Sequence, residues 1–111
     1  MNAEENKVIV KRYIEMWNTG NVALADEVLA PDWVDYAHPE VTGLESMRQV
    51  VSKIRAAFPD FRITIESILG DGDLVALRGI VQRESISRVM WFVRIAEGKM
   101  VELWTGHEGS N

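Results

Sequence analysis

The chain has 111 residues, of which 47% are hydrophobic and 26% charged, so its length and composition fit a single folded domain with one core. Seventeen acidic against twelve basic residues give a net charge of −5, which disfavours nucleic acid as a partner. Because the sequence holds no cysteine, disulfides and thiol chemistry are excluded. No stretch is suited to a signal or a membrane span, so we expect a cytoplasmic protein without a membrane partner.

The first third of the sequence predicts two helices and a short strand. Apolar residues recur at helical spacing over residues 4–18, and Gly20 is suited to end that helix. Asn21 is predicted to cap a second, short helix that Pro31 stops. The aromatic and β-branched residues at 32–36 then predict a strand.

A third helix and four strands are predicted in the remaining sequence. Thr42 and Glu45 form a capping-box pattern, and apolar spacing continues the helix up to Pro59. Beyond Pro59 the hydrophobic period changes to two, which is typical of half-buried strands. Tight turns are expected at residues 71–72, 83–85 and 97–98. Four strands joined in this way form an antiparallel meander, so the sequence predicts an α+β fold with helices on one face of a curved sheet.

Several stretches carry a resemblance to a known family. They are residues 8–21 (VIVKRYIEMWNTGN), 29–35 (LAPDWVD), 58–61 (FPDF) and 98–104 (GKMVELW). In order and spacing they resemble the SnoaL-like polyketide cyclases of the nuclear-transport-factor-2-like superfamily. The resemblance implies one SnoaL-like domain over residues 1–111, shaped as a cone-like barrel of a curved, mainly antiparallel sheet with three N-terminal helices and a pocket. Members of the superfamily differ in chemistry, so the resemblance predicts the place of a site rather than a reaction.

Two residues are candidates for proton transfer and substrate activation. Tyr13 matches a tyrosine that ketosteroid isomerases use, so it is a candidate hydrogen-bond donor to a carbonyl or enolate oxygen. The alternative for Tyr13 is a role in core packing. Asp35 has the same strand parity as Trp33 and is expected to point into the pocket as the proton-transfer group. The alternative for Asp35 is a strand-end carboxylate that faces water.

His38 and His107 are candidates for a second acid–base group, and the alternative for each is a solvated side chain. The two histidines lack the spacing of a metal site, and no Gly-rich phosphate loop is present, so no metal and no cofactor is expected. The other two acidic positions of a ketosteroid isomerase fall on Ala37 and Trp91, which argues against that mechanism. Epoxide hydrolysis is also disfavoured, because Arg94 has the wrong strand parity to join Asp35.

The pocket wall is predicted to be aromatic and apolar, and to bind a hydrophobic or aromatic small molecule. The predicted ligand-binding residues are Trp17, Trp33, Tyr36, Phe58, Trp91 and Leu103. Trp104 has the opposite parity to Leu103 and is expected on the outer surface of the sheet. The short turn at residues 83–85 replaces a longer excursion common in the family, which predicts a shallower or more open pocket.

Met90 and Phe92 would be exposed on the outer face of the sheet in a monomer, so we expect a homodimer packed through that face. The predicted activity is acid–base catalysis without a cofactor, as in a lyase, isomerase or cyclase. It would suit cyclisation, isomerisation or dehydration. The alternative is a non-catalytic ligand-binding or dimerisation module of the same fold.

Overall fold

The computed structural model describes residues 2–108, which form three helices and five strands in the predicted order. The helices are α1 (Ala3–Thr19), α2 (Leu24–Val28) and α3 (Gly43–Ala57). The strands are β1 (Leu29–Asp35), between α2 and α3, and then β2 (Arg62–Asp71), β3 (Leu74–Arg83), β4 (Ser85–Ala96) and β5 (Lys99–His107). The α+β class predicted from the sequence is confirmed. None of the helices between residues 2 and 108 has the length and apolar character that a membrane crossing requires.

The sheet has the strand order β1-β5-β4-β3-β2. Strands β2 to β5 form the predicted antiparallel meander, whereas β1 pairs in parallel with β5, so that Asp35 lies beside Leu103. Strands β1 and β2 are the two edges and do not pair with each other, and the cone-like barrel expected from the family is therefore left open. The helices cover the concave face, where they bury one continuous core.

Helix α1 is fastened to the edge strand β2 by one side chain. The Asn18 amide nitrogen donates to the Ile63 carbonyl oxygen at 2.8 Å, and the Asn18 amide oxygen accepts from the Ile63 N–H at 2.7 Å. A carboxamide bonded in this way imitates the backbone of a neighbouring strand, so it satisfies a peptide group that an edge would leave open.

Three predictions about helix ends are wrong. Thr42 precedes α3 but makes no side-chain cap, and the capping box is found instead at the start of α1, between Asn2 and Glu5. Asn21 does not cap α2 through its side chain; its carbonyl oxygen accepts from the Leu24 N–H at 3.1 Å. Pro31 does not end α2, because the helix ends at Val28 and Pro31 lies within β1. Proline is tolerated there because β1 is an edge strand, where a missing N–H breaks no necessary pairing.

The turn between β3 and β4 is as short as predicted. Arg83 pairs with Ser85, and Glu84 alone lies between them with a φ of 66°, in the left-handed region that non-glycine residues rarely adopt. The two strands therefore stay paired up to the tip of the hairpin, and the tip carries Arg83 and Ser85 side by side.

Candidate functional site

A cavity of about 560 Å³ lies between α1, α3 and the concave face of the sheet, and it is partly open to solvent. Most of its wall is apolar, formed by Ile14, Trp17, Val41, Met47, Val50, Ile54, Phe61, Ile63, Val81, Val89, Trp91 and Leu103. Its polar lining consists of Tyr13, Asp35, His38, Glu40, Arg83, Ser85, Ser87, Thr105 and His107. All four candidate catalytic residues, Tyr13, Asp35, His38 and His107, therefore line the same space.

Asp35 is placed by the end of β1 and is 6% exposed. Its carboxylate oxygen Oδ1 accepts the Ala37 N–H at 3.0 Å, which fixes one side of the group. The chain turns immediately after the strand, where the Asp35 carbonyl oxygen accepts the His38 N–H at 3.2 Å. This turn is local, since an Asp side chain commonly bonds the backbone two residues ahead. It leaves the second carboxylate oxygen available to another group.

That second oxygen, Oδ2 of Asp35, lies 3.3 Å from Nδ1 of His38. The His38 side chain is 57% exposed and lines the cavity, whereas the Asp35 side chain is buried. A carboxylate that accepts from Nδ1–H selects the histidine tautomer whose other nitrogen, Nε2, has a free lone pair. The pair can then accept a proton at the imidazole and share the resulting positive charge with the carboxylate.

Tyr13 lies on the inner side of α1, buried at the cavity wall. Burial raises the pKa of its phenol well above the ordinary value, the hydrogen bond of the Trp17 side chain offsets part of this rise, and the negative charge of Asp35 adds to it. The hydroxyl therefore keeps its proton near neutral pH. Chemically it is a hydrogen-bond donor in the cavity and not a base.

His107 lies at the end of β5, beyond Thr105, where it lines the outer part of the cavity. It is exposed, and on its other side it borders a shallow surface groove of about 410 Å³ next to Arg88 and Glu108. Asp35 lies beside Leu103 on the neighbouring strand β5, and His107 follows four residues after Leu103. The structure therefore brings His38, and not His107, into contact with the carboxylate.

Three of the predicted pocket residues do not line the cavity. Trp33 is 2% exposed and packs in the core, where its indole N–H has no hydrogen-bond partner among the described residues. Tyr36 follows the end of β1 and lies on the outer surface, where it donates to Glu102 at 2.6 Å. Phe58 packs beneath the guanidinium of Arg83 at 5.1 Å, outside the cavity wall. Trp17, Trp91 and Leu103 do line it.

The sequence reasoning missed the polar mouth of the cavity. Arg83, Ser85, Ser87 and Thr105 all line it, and each has the strand parity of an inward apolar residue further along its strand. The alternation of side chains along these strands could have predicted that the four residues face the cavity. Arg83 and Ser85 were predicted only as part of a turn, because the apolar pattern fades towards the hairpin tip.

The outer face of the sheet carries a cluster of exposed aromatic and apolar side chains. Trp104 lies there as predicted, stacked on Tyr36 at 5.0 Å and edge-on to Phe92 at 5.7 Å. Met90 is 61% exposed beside them. Glu102 accepts hydrogen bonds from both Tyr36 and Arg94. These bonds lower the pKa of its carboxyl group, and the bond from Tyr36 has the larger effect.

Within residues 2–108, no three histidine, aspartate or glutamate side chains are grouped closely enough to hold a metal ion. Residues 10–103 match the model of the SnoaL-like domain family, which spans most of the chain. The chain belongs to the SnoaL-like domain family. Among proteins of curated function, none matches this SnoaL-like domain in sequence.

Solved structures with the same fold include other SnoaL-like proteins. The SnoaL-like polyketide cyclase of Agrobacterium tumefaciens is similar with a TM-score of 0.80 and 17% identity, covering 98% of this chain and 94% of its own. TsrD from Streptomyces laurentii gives a TM-score of 0.84 at 15% identity, over 97% of this chain and 91% of its own. IdmH from Streptomyces antibioticus gives 0.77 at 24% identity, over 93% and 91%. At these identities the likeness establishes the fold.

Proposed function

We propose that this SnoaL-like domain binds a hydrophobic or aromatic small molecule in its cavity and performs acid–base chemistry on it without a cofactor. The observation that carries the proposal is the contact of Asp35 with His38 at 3.3 Å, in a cavity that the protonated hydroxyl of Tyr13 also lines. A base and a hydrogen-bond donor that face one space are what proton abstraction next to a carbonyl requires.

The roles follow from the environment of each group. Asp35 is the proton-transfer group, acting directly or through His38, whose exposed ring can exchange the proton with water. Tyr13 donates to the carbonyl oxygen of the substrate and stabilises the enolate that forms. The apolar wall contacts the hydrophobic body of the substrate. Cyclisation, isomerisation and dehydration all begin with such an enolate, so these are the reaction types we propose.

The first test is the exchange of hydrogen for deuterium next to the carbonyl of 2-tetralone, an aromatic ketone, followed by NMR in D₂O. We expect the protein to accelerate exchange over buffer, and Asp35→Asn to lower the acceleration by about 100-fold, the effect typical of a lost general base. Asp32→Asn is the matched control, because Asp32 lies on the same strand and is exposed. Asp35→Asn exchange at the rate of the control would contradict the assignment.

The alternative, a binding module without catalysis, is favoured by one observation. Trp91 occupies a position that is acidic in ketosteroid isomerases, and the acid that lines the cavity besides Asp35, Glu40, is exposed. Under this alternative, calorimetry would detect binding of 2-tetralone while the exchange rate stayed at that of buffer. The same pair of measurements therefore separates the two functions.

We also propose that the domain is a homodimer through the outer face of the sheet. Met90, Phe92, Trp104 and Tyr36 form one exposed apolar surface there, larger than scattered surface residues require. Arg78 and Glu66 on the neighbouring strands pair with each other within the chain at 3.7 Å, so their opposite charges are already matched beside this surface.

A further inference from the structure

The inner face of the sheet changes in character from one end of the cavity to the other. One row of this face is formed by Val75, Val93 and Leu103 on β3, β4 and β5, all buried, and Asp35 continues it on β1. Of this row, Leu103 and Asp35 line the inner end of the cavity. At the hairpin tip, the inward positions are Arg83 and Ser85. The concave face is therefore apolar beside the catalytic candidates and polar with a positive charge at the mouth.

Arg83 is held in place but carries an unneutralised charge. Its guanidinium lies 5.1 Å from the centre of the Phe58 ring, which fixes its position by a cation–π contact. Within residues 2–108, no Asp or Glu oxygen is within 4.0 Å of that guanidinium. The neighbouring Ser85 and Ser87 hydroxyls line the same part of the cavity and supply further hydrogen-bond donors.

The two ends of the cavity differ in charge. Asp35 is buried at the inner part of the cavity, and its carboxylate disfavours a second negative charge there. On β4, Ser85 lies eight positions before Val93, which shares a row of the sheet with Asp35, and this is about 26 Å of strand length along the curved sheet. An anionic group at Arg83 is thus remote from the carbon that Asp35 would deprotonate.

We infer that the substrate of this site is an elongated amphipathic molecule whose carboxylate binds Arg83 and the adjacent serine hydroxyls, with its apolar body along the cavity. The inference rests on the proposed function, because it names the substrate class of the same cavity. A planar guanidinium forms paired hydrogen bonds with a carboxylate, and the serines complete the set of donors. Charge at one end only would orient the molecule, with its ketone towards Tyr13.

The test uses two probes of equal shape, 2-naphthylacetate and its uncharged amide 2-naphthylacetamide, measured by isothermal titration calorimetry on the whole chain. We expect the carboxylate to bind about tenfold tighter than the amide, the size of one charge-assisted contact at a partly exposed site. Arg83→Gln should remove this preference. Arg62→Gln is the control, since Arg62 lies on the neighbouring strand, exposed and with outward parity, and it should keep the preference.

Each outcome has a distinct meaning. Equal binding of the two probes to the unmodified chain, or a preference that survives in Arg83→Gln, would overturn the carboxylate site while leaving the proposed chemistry on 2-tetralone intact. Failure of both probes to bind would overturn the carboxylate site together with the view of the cavity as a small-molecule site. Loss of the preference in both arginine variants would assign it to net charge and would also reject the inference. The melting temperature of each variant is recorded to confirm that it is folded.

Discussion

Tyr13 and Asp35 illustrate how one residue changes the chemistry of another in this cavity. The carboxylate is buried, and its negative charge adds to the effect of burial on the phenol. A tyrosine in such surroundings stays protonated and can donate a hydrogen bond, whereas the proton transfer that we propose involves the carboxylate and His38. The assignment of roles therefore depends on the environment of each group and not on residue type alone.

The raised pKa of Tyr13 predicts a loss of stability in alkali. Since the folded-state pKa exceeds that of a phenol in the unfolded chain, the stabilising effect is fully present below about pH 10 and is lost as the pH rises from there through the folded-state pKa. We expect the melting temperature to fall as the pH rises from about 10 to about 12, and to fall less in Tyr13→Phe. Calorimetric scans across this range measure it, and identical slopes for the two proteins would contradict the argument.

Strand parity predicted the direction of Asp35 and of Trp104 from the sequence, because a regular strand alternates its side chains. The same alternation puts Tyr36 on the side opposite to Asp35, so its prediction as a pocket residue was inconsistent with parity, and the residue lies on the outer surface. Parity was insufficient for Trp33, which points inward as expected but is covered by the core. Parity gives the face of the sheet, and only the packing of the helices decides which inward residues reach the cavity.

Among the elements, β3 shows how closely two strands can approach. Gly79 lies opposite the irregular segment of β2 between Ile65 and Ser67. A Cβ atom at Gly79 would lie 2.5 Å from the backbone oxygen of Thr64 and 3.3 Å from the ring of Trp91. Glycine is required at this point because the neighbouring backbone occupies the space of a side chain.

Gly79→Ala is therefore expected to destabilise the domain by about 1–3 kcal/mol, the usual penalty of overpacking against a rigid neighbour. Gly106→Ala is the matched control on β5, because within the described residues nothing lies within 4 Å of its added Cβ. The control should be neutral or slightly stabilising. Chemical denaturation of both variants provides the comparison, and equal stability of the two would refute the steric argument.

Local sequence signals predicted the meander and its turns well, since each strand pairs with its neighbour in the chain. The parallel pairing of β1 with β5 could not be predicted from them, because the two strands are far apart in sequence and no turn links them. The helix caps were predicted from residue types alone. Thr42 has a suitable side chain, yet its oxygen makes no bond to α3 in the folded chain.

At the scale of the whole molecule, the outer face of the sheet is expected to govern assembly. The double variant Met90→Lys and Phe92→Lys places two positive charges per chain in the proposed interface, where they would repel and remain unpaired. We expect the original chain to sediment as a dimer and the variant as a monomer. Val8→Lys is the control, because Val8 is 56% exposed on α1, away from that face. A monomeric original chain would refute the dimer.

The unpaired edges of the sheet determine how the cavity can be filled. Because β1 and β2 share no hydrogen bonds, the wall can widen without the rupture of any backbone pairing. Two side-chain contacts connect the hairpin tip to the end of α3. Arg83 stacks on Phe58, and the Gln82 amide nitrogen donates a hydrogen bond to Asp60 at 3.2 Å. Both contacts are exposed and weak. A molecule that fits the present cavity leaves both contacts in place, and a bulkier one would displace them while every backbone pair of the sheet stays intact.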